Sequence, residues 1–273
     1  MKNLLKIELI KTAYYPTFWA ILLLHTFFFF AIIALGANLN INIQGVQVFK
    51  LFASNYIWGT TAWIASWFNL LLAIMLIVLV GNELQYNTFR RQILDGLTRN
   101  HIILGKLVLI VSLSVYVILL VTLTGFTVGL TSGEPWVNGY FHGFSYVLVL
   151  SVQSLAYMTL AMLLVLIFRN IALAIITYLL YFIMIEPIIR IFFPDNIDVF
   201  FPMKLISNLT PMPDFMGMLT EEFSNMQGVD PNSVQQLQSI PDGIPVSLSV
   251  PVCLVYIVVF IVSSRLILKY RDL

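Results

Sequence analysis

The sequence predicts an all-α integral membrane protein with six transmembrane helices, and three observations carry that prediction. Of its 273 residues, 60% are apolar and only 10% are charged, against about 45–50% and about 25% in ordinary soluble domains. So few charges cannot clothe a water-soluble surface, which excludes a cytosolic enzyme. Six stretches are also long and apolar enough to cross about 30 Å of hydrocarbon at about 1.5 Å per residue. Finally, the basic residues are shared unequally between the connections, as they are in oriented membrane proteins.

The spans fall at about residues 17–35, 62–80, 102–124, 144–168, 171–193 and 246–268, within a single transmembrane domain covering 1–273. Each is rich in Leu, Ile, Val and Phe, and none alternates with period two, which argues against a lipid-embedded barrel. The first stretch lacks a small-residue cleavage site and reads as a retained span rather than a leader. With the N-terminus cytoplasmic, the inner segments hold Lys2, Lys6, Lys11, Arg90, Arg91, Arg99, Lys106, Arg169, Arg265, Lys269 and Arg271. The outer segments hold only Lys50, Arg190 and Lys204. Both termini are therefore expected inside. The formal net charge of +1 provides no whole-chain field for nucleic acid. Cys253 is the single cysteine, so a disulfide scaffold or a cysteine metal centre within one chain is excluded.

The connections differ in character. The outer loop after the first span is polar, with Asn38, Asn40 and Asn42, and Arg169–Asn170 is a tight turn that forces spans four and five antiparallel. The outer segment 194–245 is long, with seven of the eleven prolines and seven acids against Lys204 alone. At its start and just inside it, Phe192-Phe193-Pro194 and Phe200-Phe201-Pro202 read as turns that dip into the outer leaflet.

The inner loop 81–101 holds the most informative residues. Asn87 or Thr88 can cap a helix, Gly96 suits the position just past its end, and Asn100 can cap the third span. Between them a short helix puts Phe89, Ile93, Leu94 and Leu97 on one arc, with Arg91, Gln92 and Asp95 opposite and Arg90 within the apolar arc. One reading is an interfacial helix whose arginines meet lipid phosphates. The other is a dock presenting Phe and Arg, the usual interface anchors, to a cytoplasmic partner.

The run Glu83…Asn87-Thr88-Phe89-Arg90…Leu94…Gly96-Leu97-Thr98-Arg99…Ile103-Leu104-Gly105-Lys106 resembles the signature of the permease subunits of type-2 ATP-binding-cassette exporters. The six-span layout, with both ends inside and a long final outer loop, is similar to that family over nearly the whole chain. The resemblance implies that Thr88 to Asp95 is a coupling helix seated on a separate ATPase subunit. Glu83, Thr88, Phe89, Arg90, Arg91, Ile93, Leu94, Asp95 and Arg99 would form or brace that contact. It implies further a second permease, either another copy or a paralogue, in a bacterial cytoplasmic membrane. The segment Lys2–Tyr15 would be a connecting helix along the inner membrane surface.

No ATP site is legible on the chain itself. A P-loop needs Gly-x-x-x-x-Gly-Lys-Ser/Thr, and the one Gly-Lys pair, Gly105-Lys106, precedes Leu107 and lacks a glycine at Asn100. ATP and magnesium are thus expected on the partner ATPase, with no cofactor or metal here. His25, His101 and His142 lack paired helix spacing, and His25 reads as a structural or pore-facing residue. In the fifth span Glu186 and Arg190 are four apart and can pair on one helix face; the pair is either structural or part of an outer gate. Pro187 removes a donor between them and invites a kink. The leading expectation is an exporter of lipophilic or amphiphilic substrate. A non-transporting membrane scaffold is the runner-up, and a proton-coupled carrier is third, since buried ionisable residues are scarce.

Overall fold

The structure, a computed structural model, describes residues 8, 10–38, 41–43, 46–49, 52, 56–131, 139, 141–213 and 245–270. Six helices are long and apolar enough to cross a membrane: α1 (Pro16–Asn38), α2 (Ile57–Gln85), α4 (Arg99–Thr131), α5 (Ser145–Phe168), α6 (Ile171–Arg190) and α9 (Val246–Tyr270). Among the described residues, three short helices join them: α3 (Thr88–Leu94), α7 (Asp195–Asp198) and α8 (Pro202–Ser207).

Two expectations need correcting. The Asn-rich connection after α1 is not simply a loop: β1 (Ile41–Ile43) pairs antiparallel with β2 (Val46–Phe49), Ile43 opposite Val46 and Ile41 opposite Phe49. Helix limits also differ from the apolar stretches. α2 starts ahead of Ala62 and runs past Val80, and α4 runs from Arg99 to Thr131, whereas α6 stops at Arg190. Hydropathy reports the apolar thickness, but the backbone ladder continues until a residue breaks it. Asn87, with φ 54°, provides such a break after α2.

The core forms where α5 packs against α2, α4 and α9. Trp58 of α2 is buried there, with the rings of Phe126 and Phe144 edge-on at 5.1 and 5.2 Å, an arrangement that aromatic quadrupoles favour. α1, α6 and α9 keep most of their surface uncovered within the chain. His25 is buried on α1, its Nδ1 3.1 Å from the Tyr116 hydroxyl of α4, in keeping with a structural role.

The turn between α5 and α6 is as tight as expected. Arg169 takes the left-handed conformation (φ 51°), and the Asn170 side chain accepts the Leu173 N–H at 3.2 Å as an N-cap. The break around Pro187 takes the form of a π turn over Tyr181–Ile185, in which the Glu186 N–H reaches the Tyr181 carbonyl. An added residue of this kind absorbs the donor that proline removes.

Beyond α6 the chain returns into the bundle. Met203, Leu205, Ile206 and Leu209 are buried, and the Gln153 amide of α5 donates to the Ile206 carbonyl at 2.9 Å while accepting from Thr210 at 3.0 Å. The apolar Phe-Phe-Pro turns thus lead into packed structure; residues 214–244, with Glu221 and Glu222, lie outside the described residues.

Candidate functional site

At one end of the bundle, α3 sits over a knot of four charges contributed by three parts of the chain. Lys106 of α4 is 3% exposed, and its Nζ donates to Glu8 Oε1 and to Glu83 Oε1 of α2, each at 2.6 Å. Lys11 approaches the same Glu83 oxygen at 3.0 Å. Burying one ammonium alone would be prohibitive; two carboxylates and a second lysine make the group neutral overall. Gly105 makes room for it, because a Cβ there would lie 2.9 Å from Glu8 Oε1. The Gly-Lys pair that the sequence offered as part of a family signature therefore has a local physical reason.

The same lysine fixes α3. Its Nζ lies 5.8 Å from the centre of the Phe89 ring, within cation–π range. Phe89 is only 2% exposed, so the expectation that it faces a partner is corrected: it is the inward anchor of the helix. Leu94, expected on the same arc, is 79% exposed. Five residues at about 100° each put the two about 140° apart, and a seven-residue helix cannot bury both. Ile93 is half-buried on the Phe89 side, Thr88 is half-buried, and Arg90, Arg91, Leu94 and Asp95 form the exposed face.

Both ends of α3 are pinned. Asn87 occupies the N-cap position, but in the left-handed conformation and with no side-chain cap, which corrects the capping expectation. At the other end Gly96 has φ 93°, its N–H bonds the Ile93 carbonyl at 3.0 Å, and the Leu97 N–H bonds the Gln92 carbonyl at 3.0 Å. This is a Schellman turn, whose left-handed position suits glycine. Leu97 consequently lies beyond the helix and off its face.

Arg99 and Asn100 also differ from expectation. The Arg99 guanidinium donates to the Leu268 and Lys269 carbonyls, both at 2.6 Å, so a cation caps the C-terminus of α9 rather than pointing at a partner. Asn100 accepts from Arg265 Nε at 2.8 Å, and the Thr98 hydroxyl takes the capping role by accepting the His101 N–H at 3.3 Å. With Glu8 held by Lys106, these bonds place both described chain ends at the α3 end of the bundle.

At the far end, the expected pair of Glu186 with Arg190 does not form. Glu186 is 1% exposed and accepts the backbone N–H groups of Met203 at 2.8 Å and Lys204 at 2.7 Å, at the start of α8. A buried carboxylate gains more from two free amides at a helix start than from one flexible cation near lipid. Arg190 instead shares Asp198 with Lys204, at 3.4 and 3.1 Å.

Sequence reasoning did not assign Glu8 and Lys11, and it carried Lys106 only as the end of a motif. A usable signal was present: Lys106 lies inside the expected 102–124 span, and an ionisable residue there demands a partner. Among the described residues no group of three or more His, Cys, Asp or Glu is placed to hold a metal ion. In comparisons with known proteins, no family model matches the chain, and no curated protein sequence matches it.

Proposed function

We propose that the chain is the membrane-spanning permease subunit of an ATP-binding-cassette exporter, acting on a lipophilic or amphiphilic substrate with ATP hydrolysed by a separate ATPase subunit. The observation that supports this best is the exposed face of α3. Arg90, Arg91, Leu94 and Asp95 stand on a helix held from below by Phe89 and Lys106 and closed by the Gly96 turn. Displacement of such a helix would be passed directly to α2 through Glu83 and to α4 through Lys106. In this reading the α3 end is cytoplasmic, in accord with the basic residues gathered there. The uncovered faces of α1 and α6 would meet a second permease across the transport seam. A seam built from these mainly apolar faces suits amphiphiles and suits free ions badly.

The test is first to ask whether an adjacent reading frame encodes a P-loop ATPase, then to co-express the full chain with that ATPase and purify the pair; no such ATPase, or no co-purification, would count against the reading. Arg90→Glu with Leu94→Ala should abolish substrate-stimulated ATP hydrolysis while leaving membrane insertion intact. Normal stimulation in that variant would reject α3 as the dock. Binding of the ATPase without stimulation by any amphiphile would favour the scaffold reading.

A further inference from the structure

A cavity of about 480 Å³ opens between α2, α5, α6 and the segment that follows α8. Its volume lies in the range of small-molecule sites, about 300–1,000 Å³. Among the described residues, five aromatic side chains wall it: Trp63 and Trp67 of α2, Tyr157 of α5, and Tyr178 and Phe182 of α6. Trp67 and Ile183 are exposed at the mouth, whereas Tyr157 and Tyr178 are buried at the floor. Among the described residues, no Asp, Glu, Lys or Arg contributes to the lining.

The polar groups of the lining are unequal. The Gln153 amide is engaged at both ends by Ile206 and Thr210, the Ser66 hydroxyl donates to Trp63, and the Ser207 hydroxyl donates to Lys204. Tyr178 differs. Its side chain is fully buried, and its hydroxyl has no hydrogen-bond partner among the described residues. An orphaned hydroxyl in an apolar setting is costly, and a ligand that supplies its partner recovers that cost.

We propose that this cavity binds an uncharged, single-chain amphiphile, its hydroxyl- or ester-bearing head hydrogen-bonded to Tyr178 and its hydrocarbon chain lying against the aromatic walls toward the Trp67 mouth. A charged head would shed its water with no counter-charge among the described lining residues. The aromatic rings offer wide apolar contact at low entropic cost. The half-buried Asn208 stands among the lining residues as a second polar contact for the head. The site rests on the cavity alone and does not require coupling to ATP, so it stands or falls separately from the transport reading.

The experiment uses the full chain in phosphatidylcholine nanodiscs and a monoacylglycerol carrying a dibrominated stearoyl chain, which quenches nearby tryptophans. Saturable quenching with one site per chain is expected. Tyr178→Phe, which keeps the ring, should weaken it about threefold to tenfold, and Ser66→Phe, which intrudes on the cavity, should remove it; helical circular dichroism should be unchanged in both. Dibrominated stearate and the matching amine should fail to saturate. Non-saturable partitioning, unaltered binding in both variants, or equal binding of the charged analogues would each overturn the proposal. So would Trp67→Cys cross-linking into dimers that exclude the probe, which would show a second copy covering the mouth.

Discussion

The two ends of the bundle solve one problem, a carboxylate that must be buried, in opposite ways. At the α3 end Glu8 and Glu83 are neutralised by other side chains, with Lys106 as the shared hub. At the far end Glu186 has no cation within bonding range among the described residues; it accepts two backbone amides of α8, with the Tyr181 hydroxyl beside it. The first arrangement ties together long elements through flexible charged groups that other charges could also engage. The second fixes a short return segment through the backbone itself. The end proposed to transmit motion is thus the one held by exchangeable side-chain bonds, and the opposite end is anchored by bonds with little freedom to swap.

Removing the hub should give the largest effect. Lys106→Met leaves two carboxylates facing Lys11 alone and should cost about 3–5 kcal/mol in unfolding free energy, the usual result of stripping one partner from a buried ionic group. Adding Glu8→Gln should recover part of that loss, a coupling that a double-mutant cycle in detergent measures directly. A silent Lys106→Met would mean that the four charges are not a structural unit.

An intermediate effect is expected at the far end. Glu186→Gln replaces one acceptor oxygen with an NH₂ that faces a backbone N–H, so about 1.5–3 kcal/mol should be lost, read as a lower unfolding midpoint and a poorer yield of folded chain. Normal yield with altered transport would instead return Glu186 to a gating role and erase the contrast between the ends. The smallest change is expected from Gly105→Ala. The new Cβ meets the flexible end of Glu8 at 2.9 Å, so Glu8 shifts and about 1 kcal/mol is lost. In a Glu8→Ala background that penalty should vanish, and its persistence would show that Gly105 answers to helix packing instead.

The parts of this molecule that follow from local pattern were legible in the sequence. Six spans follow from apolar length, the Arg169–Asn170 turn from the closeness of two apolar runs, and Gly96 from the need for a left-handed residue after a short helix. The site was legible only as a location. The α3 segment was found, but its facing was misjudged, because Phe89 and Leu94 are equally apolar and only the presence of Lys106 beneath decides which is buried. Partners far apart in the chain left no local trace. Glu8 and Lys106 are 98 residues apart, and nothing near Glu186 in sequence announces that amides 17 and 18 residues later will take it from Arg190.

The Arg99 cap has a consequence for biosynthesis. Its acceptor carbonyls on α9 lie 169 and 170 residues downstream. At about 5–20 residues per second of translation, the guanidinium waits roughly 10–30 seconds for them to be made. Until the ribosome has delivered α9, these two bonds of the Arg99 guanidinium cannot form, and only insertion of α9 closes that interval.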